Sequence, residues 1–94
     1  MPRYMIVRSF DVTADEMPGV GKRSRELVDS EFPEIVWEHS HVVVDANGKV
    51  RTFCVYDAPN LDLVRAHSRR VGQHEIDSID LIPGDVTPAD FPAA

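Results

Sequence analysis

Cysteine is nearly absent from this chain: Cys54 is the only one. A lone thiol closes no intrachain disulfide, so a stapled secreted fold is excluded. Long apolar runs are missing too. None approaches the roughly 20 residues that span a bilayer, so no membrane partner is expected. Positive charge is in deficit, with 10 Lys and Arg against 16 Asp and Glu and a formal charge of −6. A nucleic-acid partner needs a dominant basic surface and is therefore not expected. The start, Met1-Pro2-Arg3-Tyr4, lacks the charged, apolar, then small-residue order of a signal peptide. A cytoplasmic location is the expectation. The 94 residues suffice for one small domain with a modest core.

What is present reads as alternating strands and helices. Arg3 to Phe10 alternates and is rich in β-formers, which predicts a strand. A helix follows from the Pro18–Gly21 region to Glu31, marked by Met17, Val20, Leu27 and Val28. Thr13 and Glu16 have capping-box spacing, while Pro18, Gly19 and Gly21 predict an irregular helix start. Ile35 to Val44 and Val50 to Asp57 read as two strands joined through Asp45-Ala46-Asn47-Gly48, a strong hairpin signal. Asn60 is a good N-cap for a helix from Leu61 to Val71, closed by Gly72. Ile76 to Ile82 predicts a fourth strand, with His74 in a solvated loop before it. The order is that of an α+β, ferredoxin-like split βαββαβ fold: a four-stranded antiparallel sheet with two helices on one face. Residues 1–82 form this domain. Residues 83–94, with prolines at 83, 88 and 92, are expected to be an irregular C-terminal arm.

Strand parity assigns the faces of the central hairpin. A two-residue Asn47-Gly48 turn and a four-residue loop both set odd residues of the second strand beside even residues of the third. One face then carries Ile35, Trp37, His39, His41 and Val43 with Val50, Thr52, Cys54 and Tyr56. The other carries Val36, Glu38, Ser40, Val42 and Val44 with Arg51, Phe53 and Val55. Both hold several large apolar groups, and two helices cover only one face of such a sheet. The uncovered face predicts a homodimer.

Trp37-Glu38-His39-Ser40-His41 is the most informative stretch. His-x-His on a strand sends both imidazoles to one side, at a spacing that suits one transition metal ion. In either register Cys54 shares their face. His67 lies on one helical stripe with Val64 and Val71, and joins the cluster only if the helices cover that face. Imidazole and thiolate donors favour nickel, copper, zinc or cobalt over magnesium or calcium. The plainer reading is that these are half-buried strand histidines and a small buried thiol. A catalytic reading uses the same thiol–imidazole pair as an activated nucleophile, in a pocket lined by Trp37 and Tyr56, but no third orienting group can be placed. Gly19-Val20-Gly21-Lys22 fails as a phosphate loop, because Glu16 and Arg23 stand where that motif needs Gly and Ser or Thr. Arg65, Arg69 and Arg70 read as a solvated helix face.

These residues resemble a known family. Met1-Pro2-Arg3-Tyr4-Met5-Ile6, the run from Ile35 to Val42, the block Thr52-Phe53-Cys54-Val55-Tyr56-Asp57-Ala58-Pro59, and Val64-Arg65-Ala66-His67 before Gly72 look like a family of small bacterial proteins. The family is named only as a domain of unknown function, and a member is described as a nickel-binding, dimeric, ferredoxin-like protein. The resemblance extends to about Ile82. It implies binding of nickel(II), with zinc, cobalt or copper as alternatives, and no established enzymatic activity. By position it implies roles for Trp37, His39, Cys54 and His67. Where the family usually has a strand-one glutamate, this chain has Val7. Where relatives commonly have tyrosine, it has His41.

The expectation is thus a homodimer that sequesters or senses a divalent transition metal through His39, His41, Cys54 and His67, without turnover and with no catalytic residue. The alternative is a cofactor-free oxygenase-like, isomerase-like or small-ligand-binding dimer, with a cavity beside His39 and Tyr56. A third reading is an interaction module whose arm docks through Phe91.

Overall fold

The computed structural model describes residues 1–91 and Ala93; Pro92 and Ala94 of the expected arm lie outside the described residues. The chain runs β1 (Arg3–Phe10), α1 (Met17–Ser30), β2 (Val36–Val44), β3 (Val50–Asp57), α2 (Leu61–Val71) and β4 (His74–Ile82). The four strands form one antiparallel sheet in the order β2-β3-β1-β4. This is the ferredoxin-like α+β arrangement.

Local chemistry explains each boundary. A single 3-10 turn, Ala14–Glu16, leads into α1, and the Glu16 carboxylate accepts the Thr13 N–H at 3.2 Å. The capping box therefore closes this turn, not α1 itself. Pro18 does not delay α1, because a first-turn proline forfeits an N–H that would have no helical partner anyway. Asn60 caps α2 by accepting from the Leu63 N–H at 3.0 Å. Gly72, at φ 71, ends α2 in a backbone conformation that a side chain would strain. β4 starts two residues before the expected Ile76. His74 is its first residue, half-buried and packed on the Phe10 ring at 4.8 Å, so the solvated loop is corrected. The arm is not wholly irregular: Pro88–Asp90 forms one 3-10 turn, and Asp85 pairs with Arg3 at 3.0 Å.

The even positions of β1 (Tyr4, Ile6, Arg8, Phe10) face the helices and are buried. Ile6, Tyr56, Val50, Val64 and His67 are the largest fully buried side chains, and each large apolar one contributes roughly 1.5–3 kcal/mol. The odd positions of β1 lie on the open face, which no helix covers.

The hairpin corrects the expected faces. β2 and β3 pair Val44 with Val50, Val42 with Thr52, Ser40 with Cys54 and His39 with Val55. The connection is a three-residue loop, Ala46-Asn47-Gly48. Gly48 adopts φ 81 and donates to the Asp45 carbonyl at 3.0 Å, while the Asp45 carboxylate accepts the Asn47 and Lys49 N–H groups, each at 2.9 Å. An odd loop length reverses the parity that either even length gives. A register shift between Trp37 and His39 then adds one residue to β2. Trp37, paired with Tyr56, and Ser40 therefore both face the helices. His39, His41 and Val43 lie on the open face with Val55, Phe53 and Arg51.

Candidate functional site

The open face is a grid of rows across the strands. One row runs His39–Val55–Met5–Asp80 and the next His41–Phe53–Val7–Ser78. Both histidines are exposed on the edge strand β2. Their ring centroids are 5.4 Å apart and nearly perpendicular. Two imidazoles on adjacent tetrahedral positions of one ion, with bonds of about 2.1 Å, have centroids roughly 5 Å apart. The separation of the two rings is close to that of two imidazoles on a single ion. Position 7 falls on the same face as His41, with Phe53 between them. Ion pairs close the ends of this face. Arg3 clasps Glu38 at 2.7 and 3.2 Å, and Arg51 lies 3.6 Å from Asp77 while covering the Phe53 ring at 5.4 Å.

The expected four-residue cluster does not assemble within one chain. Cys54 and His67 face the helices, on the opposite side of the sheet from His39 and His41, because of the loop length and the β2 shift. Among the described residues no group of three or more His, Cys, Asp or Glu side chains converges as a metal cage. The Cys54 thiol is buried, accepts from Arg8 Nη1 at 3.2 Å and donates to Thr52 Oγ1 at 3.4 Å. His67 is fully buried, with Phe32 and Tyr56 edge-on to its ring, both at 5.6 Å. Its Nε2 lies 3.3 Å from both the carbonyl and the hydroxyl of Ser24; when protonated it donates to the carbonyl, and when unprotonated it accepts from the hydroxyl. Nδ1 has no partner. Burial, together with the Arg8 charge and against the Ser24 hydrogen bond, pushes the ring's pKa down to about 4. Burial also lowers His74, whose Nδ1 lies 2.7 Å from the Gly72 carbonyl.

The helix side holds a different feature. A cleft of about 230 Å³ opens between α1 and the β1-β3-β2 part of the sheet. Trp37 and Tyr56 line it, with Arg8, Phe10, Val20 and Cys54; His39 does not. Arg8 is 3% exposed. Its Nη1 donates to Cys54 Sγ and to Tyr56 Oη at 3.4 Å, and its Nη2 donates to Ser68 Oγ at 2.8 Å. Its Nε has no partner, and it pairs with no carboxylate among the described residues. Sequence reasoning passed over Arg8. The available signal was its place in the alternation Tyr4, Ile6, Arg8, Phe10, a charge in a buried register. Burial raises the pKa of Tyr56 despite the nearby Arg8 charge, so its phenol stays neutral.

A family model described as "Nickel responsive protein SCO4226-like" matches residues 4–82. The chain belongs to this family. A solved structure, the crystal structure of SCO4226 from Streptomyces coelicolor A3(2), is similar to it at 21% identity. That match covers 89% of this chain and 99% of the other, with a TM-score of 0.66. At this identity the likeness speaks for the fold, the ferredoxin-like frame of this SCO4226-like protein. No curated protein matches. No helix of this family member is long and apolar enough to cross a membrane among the described residues.

Proposed function

We propose that this chain binds nickel(II) through the imidazoles of His39 and His41, as a sequestering or sensing protein without turnover. The carrying observation is the exposed pair of rings 5.4 Å apart on one strand face. Nitrogen donors suit nickel, copper, zinc and cobalt, and the family's description favours nickel. Cys54 and His67 are left out of the ligand set, since the sheet stands between them and the pair. The residues present fit a metal as a two-donor chelate; one chain needs further donors to complete its coordination.

A second copy supplies the natural source. The open face carries a partly exposed apolar strip of Met5, Val7, Phe53 and Val43, flanked by the histidines. Burying that strip in a homodimer removes apolar surface from water and brings a second set of side chains to the same face. The test is calorimetry of nickel into chelator-stripped protein. His39→Ala and His41→Ala should each weaken binding by at least about tenfold. Absence of heat, or unchanged heat in both variants, overturns the site. Light scattering that gives a monomer mass at micromolar concentration overturns the dimer.

A further inference from the structure

We infer that the cleft over Arg8 is a binding site for a small organic monocarboxylate with an apolar body about the size of a benzene ring. This site is independent of the metal proposal and lies on the other side of the sheet.

Charge carries the argument first. A guanidinium withdrawn from water needs a counter-charge or a full set of acceptors. Arg8 has three neutral partners, one of them a weakly accepting sulfur, and no carboxylate among the described residues. A guanidinium has five N–H groups. Those three contacts leave Nε–H and one N–H of Nη2 unspent, and Nε is buried without a partner. The same Nε–Nη2 edge clasps a carboxylate twice elsewhere in this chain. Arg3 holds Glu38 in this way, and Arg70 holds Glu31 at 2.9 and 2.8 Å. At Arg8 the edge has no partner; Nε is sealed from solvent, so clasping a carboxylate there requires the side chain to turn towards the cleft that it lines.

The shape and chemistry of the cleft set the ligand class. Its volume of about 230 Å³ exceeds the roughly 150 Å³ apolar cavity that accepts benzene, leaving space for a carboxylate. Phe10, Met17, Val20, Trp37 and Val71 make most of its wall apolar. One buried cation matches one negative charge, and a planar fork matches a planar carboxylate. A doubly charged phosphate would lack a second cation here. Val42, 54% exposed, and the partly exposed Gly21 stand among the lining residues, so the cleft is reached from solvent.

Trp37 is the only tryptophan and lines the cleft, so its fluorescence reports occupancy. The probes are benzoate, 3-phenylpropionate and isovalerate, each against its neutral amide. A saturable change is expected for at least one acid, with the amide weaker by roughly tenfold or more. Arg8→Met should abolish the preference for acid over amide. Gly21→Leu is a second variant that leaves Arg8 in place. A Cβ there meets nothing within 4 Å, and the added side chain fills the cleft from α1. It should abolish binding, whereas His39→Ala should not change it. No saturable change up to about 10 mM for any acid, equal binding of acid and amide, or undiminished binding in Gly21→Leu overturns the inference.

Discussion

Acidification should destabilise this protein through His67, and the size of the effect follows from where the ring sits. In the unfolded chain a histidine titrates near 6.5, whereas burial holds His67 at about 4 in the fold. The protonated ring carries an N–H at Nδ1, where no acceptor stands beside it, and its positive charge faces that of Arg8. A depressed folded pKa gives stability that is fully present above about pH 6.5 and is lost as pH falls towards 4. At about pH 4.5 the unfolded ensemble is nearly all protonated and the folded one only in part. The loss is then roughly 2–3 kcal/mol, at 1.36 kcal/mol per pKa unit. A domain of this size has about 5–14 kcal/mol in total, and 1 kcal/mol moves Tm by about 4–8 °C. The assay is urea unfolding by circular dichroism between about pH 7 and pH 4.5, on the native chain and on His67→Gln. A constant offset from the substitution is immaterial; the difference in slope isolates His67. The native chain should lose roughly 2 kcal/mol more than the variant. Parallel curves over that range would refute the reasoning.

Other predictions test the frame. Gly48→Ala should destabilise by about 1 kcal/mol in urea unfolding, because φ 81 strains a side chain. Ile6→Ala removes a fully buried branched side chain and should cost roughly 2–5 kcal/mol by the same assay. Asn60→Ala, which removes the acceptor for the Leu63 N–H, should cost about 1 kcal/mol, and Asn60→Gly less. Nickel affinity should fall below about pH 6 in calorimetry, since imidazole ligates only when neutral.

The order of elements was legible because each rests on short-range chemistry. Alternation in β1, Asn60 before α2 and the Asn47-Gly48 turn are readable one segment at a time. The faces of β2 were not. They depend on whether the loop has two, three or four residues, which the Asp45 carboxylate decides by closing Ala46-Asn47-Gly48. They depend again on a one-residue shift near Glu38, whose carboxylate reaches Arg3 on the open face. A single residue of slip sends Cys54 and His41 to opposite sides of the sheet. The histidine pair survived because a His-x-His spacing keeps both rings together in any register. Arg8 was readable from β1 alone, as the one charge among alternating large apolar groups. What could not be read was the identity of its partners, which come from β3 and α2.

The most direct measurement is the response of the histidine ring resonances to substoichiometric nickel in solution. The four histidines occupy distinct settings, two exposed on the open face and two tied down on the helix side. Paramagnetic broadening should strike His39 and His41 first and together, leaving His67 sharp. Broadening of His67 with His39 and His41 untouched would contradict the account.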